Sequence, residues 1–89
     1  MITTKDFVST VEDELKNFDG FENGVSEVIQ VWYCKTIQNH KGLFIVKDND
    51  GWMYPCFIEA TYNGDKGELY LDFYRKYFKH VFSIADKEQ

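Results

Sequence analysis

Few side chains in this sequence are equipped for catalysis, and they are scattered. The two histidines are His40, inside a polar stretch that reads as a turn, and His80, close to the C-terminal end. Cys34 and Cys56 both fall in segments rich in β-formers, where a thiol is ordinarily a small buried hydrophobe. Two cysteines at this separation give neither a disulfide framework nor a zinc ligand set. Glu59 and Asp72 could be neighbours on adjacent strands, but paired acids serve general acid–base work only inside a pocket. Asp48-Asn49-Asp50-Gly51 begins like a calcium loop. That pattern needs an acid two residues before Asp48, where Val46 stands, and a glutamate six residues after Gly51, where Phe57 stands. The tetrapeptide therefore reads as a hairpin turn. Glycines occur singly at turns, so no phosphate cradle is formed. The expectation is a protein that is not an enzyme and holds no metal or cofactor.

Binding chemistry is better represented. Of 89 residues, fifteen are Asp or Glu and ten Lys or Arg, for a net charge of −5. Residues 1–27 hold seven acids and two bases, so the whole excess lies there. Glu12, Asp13 and Glu14 form its densest run, and they are read either as a solvated helix face or as an acidic docking surface for a basic partner. The remainder is neutral, with a weakly basic cluster at Arg75, Lys76 and Lys79. Such a balance argues against general nucleic-acid binding, which wants a basic surface. Two Trp, six Tyr and eight Phe make 18% of the chain aromatic. A domain this small buries only about 60% of the surface of its unfolded chain. Some aromatics must stay exposed, as amphipathic tyrosines or as a patch for a partner, a base or a second copy.

These residues need a frame. Phe7, Val8, Val11, Leu15 and Phe18 recur at helical period, which predicts a helix over residues 4–18. Thr3 caps it, Asp6 closes a capping box, and Ile2 staples against Phe7. Everything after Gly24 reads as β. The strands are residues 27–37, 43–48, 52–62 and 68–74, with polar turns at 38–42, 48–51 and 63–67. In the first strand Val28, Gln30, Trp32, Cys34 and Thr36 are expected on one face, and Ile29, Val31, Tyr33, Lys35 and Ile37 on the other. Pro55 belongs at a strand start, a bulge or an edge. In the last strand Leu69, Leu71 and Phe73 alternate with Tyr70, Asp72 and Tyr74. Residues 75–84 suit a short helix or irregular tail, although their β-rich composition also permits a strand. The fold class is α+β: one domain over 1–89, with an N-terminal helix packed on an antiparallel sheet of about four strands. No segment has the length of a membrane span, and the N-terminus does not read as a signal peptide, so a cytosolic protein is expected.

Two blocks carry a family likeness. Val31 to Leu43 (VWYCKTIQNHKGL) and Tyr62 to Lys76 (YNGDKGELYLDFYRK) resemble a family of small proteins encoded by phages and prophages of Gram-positive bacteria. That family carries no assigned activity to transfer. Within the blocks, Lys35, Thr36, Gln38, Asn39 and Lys41 crowd one strand end, while Asn63, Asp65, Lys66 and Asp72 belong to another turn and the strand leaving it. They either specify turns and register or form a polar recognition patch beside Trp32 or Tyr74.

The resemblance implies a phage protein in the host bacterial cytoplasm. The leading expectation is a stoichiometric inhibitor of an antiphage defence system, with Glu12, Asp13 and Glu14 docking on a basic surface of a host protein. A second is a nucleotide-sequestering protein, with Trp32, Tyr70 and Tyr74 stacking a base and Lys35, Lys41 or Arg75 taking phosphates. A third is an accessory of the virion or replication machinery. A homodimer is expected under each.

Overall fold

The computed structural model describes residues 2–75 and Ser83. The chain runs helix α1 (Thr4–Lys16), then strands β1 (Glu27–Thr36), β2 (Asn39–Lys47), β3 (Cys56–Asn63) and β4 (Glu68–Arg75). The strands form one antiparallel meander in the order β1-β2-β3-β4, and α1 packs on one face of it. This is the α+β arrangement expected.

α1 starts where its chemistry says it should. Thr3 Oγ1 accepts from the Asp6 amide at 3.1 Å, and Asp6 accepts from the Thr3 amide at 3.3 Å, closing the capping box. The helix stops two residues earlier than expected. The amide of Phe18 turns back to the Leu15 carbonyl, and the Phe18 ring leaves the helix to stack on Phe73 with 4.8 Å between centroids. Phe7, Val11 and Leu15 are fully buried against Phe44, Val46, Ile58 and Ala60 of the sheet. Each such side chain contributes about 1.5–3 kcal/mol by leaving water.

The sheet departs from its expected form in two places. The turn read at residues 38–42 is much shorter: Thr36 pairs with Asn39, so Ile37 and Gln38 alone make the hairpin loop. Ile37 has φ +55°, the left-handed conformation such two-residue loops demand. Asn39 to Gly42 are polar or small, hence turn-like in sequence, yet they are strand because His40 is held in the core. The second departure is a bulge. Gln30 pairs with Phe44 and Trp32 with Leu43, so Val31 is the extra residue. Side-chain parity reverses there. Val28, Gln30, Tyr33 and Lys35 share the helix side, and Ile29, Trp32, Cys34 and Thr36 share the other. Gly42 sits opposite Tyr33, where a Cβ would meet the Phe44 ring at 2.8 Å and the Trp32 carbonyl at 3.1 Å.

The third strand, expected over 52–62, starts only at Cys56, because Pro55, immediately before it, has no amide to give to the ladder. β4 alternates as read. Cys56 is buried, but Cys34 is exposed, because the bulge turns it away from the helix. Arg75 ends β4 as strand, and the rest of the tail expected over 75–84, Ser83 apart, falls outside the described residues.

Candidate functional site

Antiparallel register places directly opposed residues on the same face, so the face of the sheet away from α1 can be read as rows. Cys34, Lys41, Thr61 and Tyr70 form one row, and Trp32, Leu43, Glu59 and Asp72 the next. Ile29 pairs with Ile45, and Phe57 with Tyr74, to make a third. Among the described residues nothing packs over this face. Trp32 is 51% exposed, Phe57 47% and Tyr74 52%, values that belong to surface although their neighbours are apolar. The rows are stitched by polar contacts. Lys41 Nζ lies 3.6 Å from Glu59 Oε2, and the Tyr74 hydroxyl donates to Glu59 Oε1 at 3.4 Å. Lys47 pairs with Glu27 at 3.7 Å, and the Tyr70 hydroxyl donates to Glu68. These acids raise both phenols above the ordinary tyrosine range. For Tyr74 the main cause is the charge of Glu59, and for Tyr70 it is the hydrogen bond to Glu68.

The candidate patch therefore divides. Trp32, Lys41, Tyr70, Asp72 and Tyr74 do share this open face. Lys35 and Arg75 do not: they pair with His40 and Cys56, on the helix side. A base stacked on Trp32 or Tyr74 would have these two cations on the far side of the sheet. Gln38 and Asn39 are occupied otherwise. The Gln38 amide donates to the Asp65 carboxylate, and Asn39 Oδ1 accepts from the Gly64 amide at 3.0 Å. Gly64 fits only as glycine, since a Cβ there would lie 2.3 Å from the Gln38 carbonyl oxygen. The two sequence blocks with the family likeness thus meet, the β1–β2 loop clamped to the β3–β4 loop. The turn-specifying reading suits these residues; the recognition reading retains Trp32, Lys41 and the tyrosines. Glu59 and Asp72 are opposed on adjacent strands as read, but on a flat surface rather than in a pocket.

On the opposite side of the molecule lie the helix acids. Asp13 and Glu14 are exposed, Glu12 is half-buried, and no described base pairs with any of them. A cleft of about 580 Å³ opens beside the end of α1, with Phe18, Phe21, Tyr54 and Phe73 as walls and Arg75 at its edge. Cys56 also lines it, and burial pushes its thiol upward, away from nucleophilic use.

Sequence reasoning missed one site altogether. His40 is wholly buried, stacked on Phe7 with 5.3 Å between centroids. One ring nitrogen, Nε2, faces the Ile2 carbonyl at 3.1 Å, so it carries the proton. Nδ1 then accepts from the Tyr33 hydroxyl at 2.6 Å, and Tyr33 accepts from Thr4 at 2.8 Å. The chain of bonds ties β1 and β2 to the start of α1. His40 itself is buried, and the chain runs out through half-buried Tyr33 to exposed Thr4. The signal that would have found it is the strand period itself: His40, Gly42, Phe44 and Val46 alternate on one face.

Residues 2–84 match a family of unknown function, DUF6275. The chain belongs to it. The match spans both likeness blocks and also α1, so the DUF6275 unit is the whole helix-on-sheet fold rather than the sheet alone. No curated protein and no solved structure matches the chain. Among the described residues, no helix is long and apolar enough to cross a membrane.

Proposed function

We propose that this DUF6275 protein is a non-enzymatic binding protein whose helix acids dock on a basic surface of a protein partner. The observation that carries the reading is segregation. Asp13 and Glu14 are exposed on α1, which covers one face of the sheet, while Trp32, Phe57, Tyr70 and Tyr74 lie exposed on the other face. An acidic helix face presented this way steers association with a cationic surface and stands in for the phosphates such a surface ordinarily holds. In its sharper form the protein is phage-encoded, acts in the cytoplasm of a Gram-positive host, and inhibits an antiphage defence protein by occupying its nucleic-acid-binding site. Capture from a defence-carrying host lysate, followed by binding measurements on the captured partner, tests it. Affinity is expected to fall steeply with added salt, and to fall again in the variant carrying Asp13→Asn and Glu14→Gln. Affinity unchanged by both treatments overturns the reading.

A second reading, nucleotide sequestration, is favoured by the cleft rather than by the open face. There Phe18 and Phe73 offer aromatic surface and Arg75 a cation for phosphate. A thermal-shift panel of mono-, di- and cyclic nucleotides decides it, stabilisation supporting it and its absence counting against it.

A further inference from the structure

We infer that the open face of the sheet is the contact between two copies of this chain, packed sheet on sheet about a two-fold axis running along the strands. The inference is independent of the helix-docking reading, because it uses the other side of the molecule.

Three observations lead to it. The first is the missing layer. A sheet with apolar residues on both faces needs cover on both, and here α1 covers only one. Trp32, Leu43, Ile45, Phe57 and Tyr74 form a continuous apolar tract on the other, not isolated surface hydrophobes. The second is area. Four strands about 4.8 Å apart, each of about eight residues rising 3.3 Å, present about 500 Å² in plan. With side-chain relief this becomes on the order of 600–800 Å² per copy, within the range of specific interfaces.

The third observation, charge, chooses the occupant and the axis. The half of the face on β1 and β2 carries Lys41 and Lys47 against one acid, Glu27. The half on β3 and β4 carries only acids, Glu59, Glu68 and Asp72. Lys47 is already paired with Glu27 and lies at the opposite end of the strands from Glu68. Lys41, however, lies one row from Glu59 and Asp72, so the middle of the face is complementary to itself when one half is laid on the other. A two-fold axis along the strands does this, setting β1 over the second copy's β4 and β2 over its β3. An axis across the strands would set acids against acids. Symmetry along the strands also preserves the rows, within the twist of aligned sheets. Cys34 then lies over Tyr70 of the second copy, and Lys41 descends between that copy's Tyr70 and Glu59. Within one chain Asp72 stands directly opposite Glu59, a like-charge pairing that costs stability. Among the described residues Asp72 has no ion pair, and Lys41 of the second copy supplies one. The acidic helices end on the two outer sides of the dimer.

The experiment is sedimentation equilibrium on the full chain and its variants, with far-UV circular dichroism as the check of folding. The native chain is expected to be a dimer at micromolar concentration. Leu43→Glu, at the centre of the face, and Lys41→Glu, at its surface, are each expected to raise the dissociation constant by about tenfold or more. Adding Asp72→Lys to Lys41→Glu is expected to restore most of the loss. In Tyr70→Cys the new thiol is expected to be joined to Cys34 of the second copy by a short bifunctional maleimide. A monomer at all concentrations overturns the inference. So does a dimer indifferent to Leu43→Glu and Lys41→Glu, which would place the contact on the β1 or β4 edge. Failure of both the charge swap and the cross-link overturns the assigned axis.

Discussion

Leu43 and Phe44 are neighbours on β2 that face opposite ways, and the two sides of the sheet differ as they do. Phe44 is wholly buried under α1, among apolar partners from the helix and from β3. Leu43 lies half-buried between Trp32 and Glu59 in an uncovered row. The inner face is closed by shape and by one satisfied polar chain through His40. The outer face is apolar in composition yet crossed by Lys41, Glu59 and Asp72. The difference teaches that the sheet separates a closed apolar packing from an uncovered face of mixed chemistry.

The comparison is broken most directly by truncating one ring on each side. Phe44→Ala is expected to lower the free energy of unfolding by about 3–5 kcal/mol, and Phe57→Ala by only about 1 kcal/mol in dilute solution. Urea denaturation at two protein concentrations sharpens it, because a face covered by a second copy makes the Phe57→Ala loss grow with concentration. Equal losses at low concentration would mean that the outer face is no less structural than the inner. Next in size is His40→Ala, expected to cost about 2–4 kcal/mol by emptying a packed site and leaving the Ile2 carbonyl unpaired. The same denaturation assay reads it.

A smaller effect of opposite sign is expected at the β1–β2 loop. Ile37 is 84% exposed and holds φ +55°, which a β-branched residue tolerates poorly. Ile37→Asn is expected to stabilise by about 1 kcal/mol. No gain would mean that Ile37 has a compensating contact. Smallest is a pH effect at the β2–β3 turn. The amide of Trp52 donates to Asp48 and, against the desolvation of the group and with help from the Asp50 amide, holds its carboxyl below the ordinary value. A carboxyl lowered on folding stabilises above its unfolded pKa, and this is lost as pH falls through the folded value. The loss is expected below about pH 4. Asp48→Asn, compared by thermal melts across that range, is expected to flatten the slope.

Much of the frame was legible because its signals are local. The helix announced itself through the Thr3–Asp6 capping box and the Phe7–Leu15 stripe, and β4 through its alternation. The Asp48–Gly51 turn was legible too, and its glycine does hold φ +87°. What escaped reading was set by long-range packing. The period of β2 aligns His40 with Phe44 and Val46, but a polar ring on that face is explained only by its partners Ile2, Phe7 and Tyr33, which come from other elements. Nothing marks Val31 as a bulge, because both parities of β1 are apolar. That single residue decides which face Trp32, Cys34 and Lys35 take. Of the patch residues, Trp32, Lys41, Tyr70, Asp72 and Tyr74 share one face of the sheet. Lys35 and Arg75 lie on the other, and Gln38 and Asn39 clamp the Gly64–Asp65 turn.

The order of elements along the chain also has a consequence for biosynthesis. Each strand pairs with its sequence neighbour, so every hairpin can close as soon as its second strand leaves the ribosome. The helix is in the reverse position. It emerges first, but the residues that receive Phe7, Val11 and Leu15 lie on β2 and β3. Until Ala60 has been made, the nascent chain carries a finished amphipathic helix with only part of its landing surface, Tyr33, His40, Phe44 and Val46, in place. Chains halted before β3 should therefore be the sticky species, and slowed translation between residues 16 and 60 the condition that most favours aggregation.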